Sequence, residues 1–247
     1  MNLFVEAFAW LVDPANWSGP GGIPVRLGQH LLISVVVLVI TALIALPLGA
    51  FIGHSGRGKQ FVIMTSGGLR ALPTLGLLTL FGTWLGIGLS APILALVVLA
   101  IPPLLAGTYA GFESVDRRTI DAARAVGMAE RQVVGRVELP LGLPLIVGGI
   151  RSGMLQIVAT ATLAAYIADF GLGRFIFAGL KTRDYAEMLG GSILVILLAL
   201  VIDGCFAIVQ RVAVPAGVRA TRTTQPRSRP TRSRVTTGQP VHEGNRS

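Results

Sequence analysis

Between Ser114 and Pro140 the chain sets Asp116, Asp121, Glu130 and Glu138 among five arginines, with long apolar runs on either side. Within this polar stretch Asp121-Ala122-Ala123 is followed after three residues by Gly127, and nine residues further on comes Val137-Glu138-Leu139-Pro140. The chemistry these residue types support is capping, ion pairing and turn formation. Asp116 is placed to cap a helix whose first turn is Arg117-Arg118-Thr119, with Arg117 and Asp121 paired at i,i+4. Ile120, Ala123 and Val126 then share one side, which makes the helix short and amphipathic. Gly127 suits a left-handed C-cap, because it lacks the Cβ that makes this conformation costly. A second short helix is expected from about residue 129 to 137, with Val133, Val134 and Val137 as its apolar side, and Pro140 marks the start of the next segment. Helix, glycine turn, helix makes a compact polar knob.

Few other residues suggest chemistry. Cys205 is the single cysteine and stands in an apolar run, so it has no internal disulfide partner and reads as a small hydrophobe. His30, His54 and His242 lie far apart and suggest no metal or nucleophile constellation. The sequence contains no G-x-x-x-x-G-K-[ST] phosphate loop, so no ATP site is recognisable on this chain. That leaves Arg70, Arg151 and Asp203, three ionisable residues inside otherwise apolar segments. Such residues face protein or water and are candidates for function. For Arg151, near one end of its segment, the simpler expectation is that it snorkels to the interface.

The elements that must position these residues are membrane spans. The chain is 52% hydrophobic and only 13% charged, with a mean hydropathy of +0.70. A soluble domain has about a quarter of its residues charged. The expected fold class is all-α, a polytopic membrane protein with five transmembrane helices at about 27–52, 61–81, 91–111, 141–168 and 188–209. The polar knob, 114–140, falls between the third and fourth. Residues 1–26 carry an apolar patch too short to span and without the basic start of a signal peptide, so they are expected at the outer surface. Pro47 is a candidate kink in the first span. Gly148, Gly149 and Gly153 in the fourth allow close helix packing. Residues 169–187, with charges of both signs, are expected as an external loop.

The net charge of +9 belongs mostly to the tail: seven arginines and one glutamate lie between Arg219 and Ser247. Basic residues just beyond a last span place that end in the cytoplasm and the N-terminus outside. Contact with anionic lipid fits this charge, and nothing supports nucleic-acid binding. Residues 212–247, rich in Pro, Thr, Ser and Arg, are expected to be a disordered cytoplasmic tail.

The knob resembles the EAA loop of bacterial ABC-importer permeases, E-A-A, three residues, Gly, nine residues, I-x-L-P, with Asp121 standing for Glu and Val137 for Ile. Looser matches resemble the osmoprotectant branch. Arg70-Ala71-Leu72-Pro73-Thr74-Leu75 is similar to its Q-T-I-P-S-L region, with arginine for glutamine. Thr108-Tyr109, Gly149-Ile150-Arg151 and Gly171-Leu172-Gly173 are similar as well, although Asp169-Phe170 departs from the usual pattern. The resemblance implies a permease subunit, not an enzyme, that moves glycine betaine, choline, carnitine or proline. Asp121, Ala122, Ala123, Gly127, Val137, Leu139 and Pro140 would couple it to a separate ATPase that carries the ATP and Mg. A second permease, identical or paralogous, and an external substrate-binding protein are the other implied partners.

The alternatives are a methionine or other small-solute permease and, in a different class, an ion-coupled secondary transporter, which would use Arg70 and Asp203 but has no need of the knob. A purely structural membrane scaffold is a weaker third reading. The basic tail shows no apolar periodicity, so truncation after Gly217 should leave solute uptake near normal. A truncated protein that inserts correctly but fails to transport would show that the tail has a role.

Overall fold

A computed structural model of the chain describes residues 2–213, apart from the side chains of Thr65, Arg70 and Ala213. The expected disordered tail lies, from residue 214 on, outside the described residues. Every regular element among the described residues is helical: α1 (Leu3–Val12), α2 (Ile23–Ser55), α3 (Lys59–Gly68), α4 (Thr74–Leu85), α5 (Ser90–Glu113), α6 (Arg117–Ala125), α7 (Glu130–Val133), α8 (Leu139–Ala161), α9 (Ala164–Ala168), α10 (Gly173–Thr182) and α11 (Tyr185–Ala213). Four helical runs are long and apolar enough to cross a membrane: Ile23–Ser55, Ser90–Glu113, Glu130–Ala168 and Tyr185–Val212.

These runs contain the first, third, fourth and fifth expected spans. The second differs. Residues 61–81 do not form one helix: α3 ends at Gly68, a 3-10 turn covers Leu69–Ala71, and α4 begins after Pro73. Proline disfavours the helical conformation for the residue before it, and Leu72 is extended accordingly (φ −68°, ψ 129°). Arg70 therefore has its backbone in this turn, at a helix break rather than mid-helix. Pro47 does not break α2, which runs on to Ser55 and stops where Gly56 takes φ +68° and its N–H caps the Ile52 carbonyl. At 33 residues α2 is about 50 Å long, more than the roughly 30 Å hydrocarbon layer requires.

α5 lies at the centre: 56% of its most apolar window is buried, against 11% for α11 at the periphery. Ile33 and Val37 of α2, Leu96, Val97 and Ala100 of α5 and Ile157 and Ala161 of α8 form one core cluster. In lipid there is no hydrophobic drive to bring helices together, so close backbone approach must supply the contact. A Cβ at Gly149 would sit 2.7 Å from the Gly107 Cα and 3.0 Å from the Pro103 carbonyl oxygen. Gly111 and Gly142 repeat the contact one turn on along α5 and two turns back along α8, where a Cβ on Gly142 would lie 2.7 Å from the Gly111 carbonyl carbon. On the other side of α5, Gly49 of α2 meets Thr108, and Gly53 meets Phe112. Buried hydroxyls along these helices donate to carbonyls one turn back: Ser34 to His30, Thr41 to Val37 and Thr108 to Leu104.

Arg151 is paired within the protein. Its Nε and Nη2 meet Asp203 Oδ1 and Oδ2 at 2.6 and 2.7 Å, a two-pronged pair that ties α8 to α11. Gln210 adds a bond from its amide to the Pro144 carbonyl (3.0 Å). The N-terminal segment is also built in. Trp10 of α1 stacks edge-on against Phe175 with centroids 5.1 Å apart and lies over Gly190 of α11.

Two outcomes follow from this packing. Gly149→Val should overpack the α5–α8 contact by about 1–3 kcal/mol or more and reduce the yield of monodisperse protein in detergent. Asp203→Asn should lower the melting temperature by leaving Arg151 without its counter-charge. The pair Arg151→Met/Asp203→Leu should regain most of that loss.

Candidate functional site

The polar knob forms largely as its residues dictate. Asp116 is the N-cap of α6, its carboxylate accepting from the Arg118 N–H at 3.0 Å. α6 closes in a Schellman motif: the Gly127 N–H bonds the Arg124 carbonyl (2.9 Å) and the Met128 N–H reaches the Ala123 carbonyl (3.1 Å). Gly127 holds φ +87°, a conformation that side chains rarely adopt. Ile120 and Ala123 are buried with Val115 and Val133, and Met128 and Val137 pack against them. This small core fixes α6 against the start of the next helical run.

Two details differ from expectation. Arg117 is not seen paired with Asp121; Asp121 meets Arg124 instead (3.4 Å), and Arg124 makes a stronger two-pronged contact with Glu130 (2.8 and 3.1 Å). The Glu130 carboxylate, with Asp121 beside it, holds the Arg124 guanidinium above its ordinary pKa. Val126 does not join the apolar side; it is 80% exposed at the end of α6. Pro140 does mark the start of α8, in its first turn, but no loop precedes it: the second helix runs through α7 and a π-helical stretch, Val134–Glu138, directly into α8.

Asp121, Ala122 and Gly127 are thus exposed, Ala123 is buried, Val137 and Pro140 are half-buried, and Leu139 is 41% exposed. Asp121, Ala122 and Val126 offer a small-residue surface with an apolar tip. This surface can receive a partner; it cannot perform bond chemistry. Of the ionisable candidates, Arg151 and Asp203 come together, and Arg70 stands apart from both in the break before Pro73. The side chain of Arg70, and with it the choice between a pathway role and a structural one, lies outside the described residues.

Sequence reasoning missed two polar assemblies. At one end of α2, the His54 ring stands between Glu138 and Glu130. At the other, Arg26, Gln29 and His30 hold the backbone of residues 169–172. Arg26 donates to the Asp169 carbonyl, the Gly171 N–H donates to Gln29 (3.1 Å), and the Leu172 N–H donates to His30 Nδ1 (3.3 Å). With Nδ1 accepting, Nε2 carries the proton and donates to the Val158 carbonyl (3.0 Å). The expected external loop 169–187 is therefore a tight turn and a helix, α10. Spacing two turns apart or less put Arg26, Gln29 and His30 on one face of a helix, and that was the one signal available.

The comparisons with known proteins agree with this architecture. The chain is 34% identical to the choline transport system permease protein OpuBB of Bacillus subtilis, over 77% of this chain and 88% of that one. It is 33% identical to the glycine betaine/carnitine/choline transport system permease protein OpuCB of the same organism (78% and 89% covered). With the carnitine transport permease protein OpuCB of Listeria monocytogenes it shares 35% (80% and 91% covered). Among solved structures, inward-facing forms of the MetNI methionine ABC transporter superpose with a TM-score of 0.67 at 21% identity, covering 78% of this chain and 96% of that one, a likeness of fold. Residues 45–216 match the family model described as binding-protein-dependent transport system inner membrane component. The chain, a multi-pass membrane protein and not an enzyme, belongs to that family.

Proposed function

We propose that this chain is the permease subunit of an ATP-driven importer for small osmoprotectants such as glycine betaine, choline or carnitine, with proline in the same class. The observation that carries the substrate reading is the match to permeases named for choline, glycine betaine and carnitine at about one-third identity over most of both chains. The likeness to a methionine transporter extends to the fold, so methionine remains the competing cargo.

The knob is where a separate ATPase docks and pushes. ATP and Mg belong to that partner. α6 with its Schellman turn gives a rigid, exposed body, and the helical run that follows it enters the membrane without a loop, so a push on the knob is delivered to α8. One such chain lines half a pathway, so a second permease, identical or paralogous, completes it. An external binding protein delivers the solute to the side that carries the N-terminus, and the arginine-rich tail faces the cytoplasm.

The test is uptake into proteoliposomes holding the permease pair and its ATPase, with binding protein outside, offering labelled choline, glycine betaine, carnitine and methionine in turn. ATP-dependent uptake of at least one of the first three, and not of methionine, is expected. Uptake of methionine alone would overturn the substrate reading, and uptake driven by a proton or sodium gradient without ATP would overturn the class. In the same system Gly127→Val, which forces a Cβ into the left-handed region at about 1 kcal/mol or more, should sharply reduce solute-stimulated ATP hydrolysis while the protein still reaches the membrane. Wild-type stimulation in that variant would sink the docking assignment.

A further inference from the structure

α2 meets the knob through the side chain of His54. His54 lies two residues before the Gly56 that ends the helix, and its ring bridges two carboxylates. Nδ1 is 2.6 Å from Glu138 Oε2, and Nε2 is 3.3 Å from Glu130 Oε2. Glu138 is 1% exposed, the most buried carboxylate among the described residues, and His54 is the partner its carboxylate finds. A carboxylate buried that deeply needs a donor. It is also the last residue of the π-helical stretch Val134–Glu138. Such a bulge is rare, tends to mark functional sites, and re-aims the side chains that follow it.

The two carboxylates stand at the start and end of the segment joining the knob to α8, so one imidazole holds that whole segment to α2. Glu130 also grips Arg124 of α6, which extends the link across the glycine turn. On its other side α2 has no freedom to slip. A Cβ at Gly53 would come within 2.5 Å of Phe112 Cβ, and Lys59, just past the helix, pairs with Glu113 at 2.9 Å.

We propose that His54 is a positioning residue that makes the knob and the cytoplasmic end of α2 move as one body, so that a push on the knob reaches α2 as well as α8. This rests on the knob being the ATPase docking site. Without the link, the ATPase would move α8 against a stationary α2, and ATP would be spent without completing the opening of the pathway.

His54→Leu alone would strand a buried carboxylate, so the test uses pairs. His54→Leu/Glu138→Leu removes both polar groups together and leaves no unpaired charge. In proteoliposomes with MgATP and glycine betaine, the solute moved per ATP should fall at least about five-fold, the low end of a measurable coupling. His54→Gln/Glu138→Gln, which rebuilds a hydrogen bond without charge, should recover most of that ratio. An apolar pair with wild-type stoichiometry, or an amide pair as uncoupled as the apolar one, would overturn the proposal.

A second measurement does not depend on those variants folding. With Cys205→Ser and spin labels at the exposed positions Ser55 and Arg136, the inter-label distance should stay constant between the nucleotide-free and ATP-trapped complexes; a distance that shifts refutes rigid transmission. Gly127→Val in the proteoliposome assay separates the two readings. If it leaves ATP hydrolysis and uptake at wild-type levels, the docking assignment and this proposal fall together; if it lowers both while the Leu pair keeps the wild-type solute moved per ATP, only the role of His54 falls.

Discussion

The contact on which this structure depends is the approach of two backbones, α5 and α8, through Gly107 against Gly149 and Gly111 against Gly142. In a soluble core, expelled water would drive two helices together whatever their exact fit. In lipid the surrounding chains are as apolar as the side chains, and what remains is dispersion at short range and weak Cα–H contacts to carbonyl oxygens. Both need the missing Cβ atoms. Once α5 and α8 are this close, α2 packs along the other flank of α5 through Gly49 and Gly53, and three helices become one block.

That block makes the polar groups at its edges consequential. Inside it, the hydroxyls of Ser34, Thr41 and Thr108 are satisfied within their own helices. The charged and imidazole groups instead join elements distant in sequence. Arg151 and Asp203 attach the peripheral α11, which has little buried surface of its own. Arg26, Gln29 and His30 fasten the turn at residues 169–172 to one end of α2, and His54 fastens the knob's root to the other. In a medium that offers no competing water, each such group must find its partner or be excluded. These pairs therefore define which segments are held to one another. In the broken segment from Lys59 to Leu85, Lys59 pairs with Glu113, Val62 packs with α2 and α5, and Gly82 of α4 lies against Ile167.

Some readings from residue order survived because their causes are local. Asp116 capping α6, the left-handed Gly127 and the burial of Ile120, Ala123 and Val133 depend on neighbours within a few positions, and the same short-range physics acts in the folded protein. Val126 went wrong for a related reason: it falls on the side of Ile120 and Ala123 by periodicity, yet it is the residue where the helix ends and the turn rotates it away. Pro140 marks the start of α8 as read, and the π-helical stretch before it carries the helix across with no loop.

Residue order alone determined that this is an all-α membrane protein, where four of its long apolar runs lie, and where a polar knob interrupts them, because length, hydropathy and turn chemistry are properties of contiguous sequence. Only the tertiary structure decided that residues 59–85 break at Pro73, that Arg151 pairs with Asp203 across 52 positions, and that His54, an isolated histidine in the sequence, meets Glu138 across 84. Those partners are chosen by which helices pack side by side. That choice comes from glycine contacts between segments far apart in the chain, for which residue spacing carries no signal.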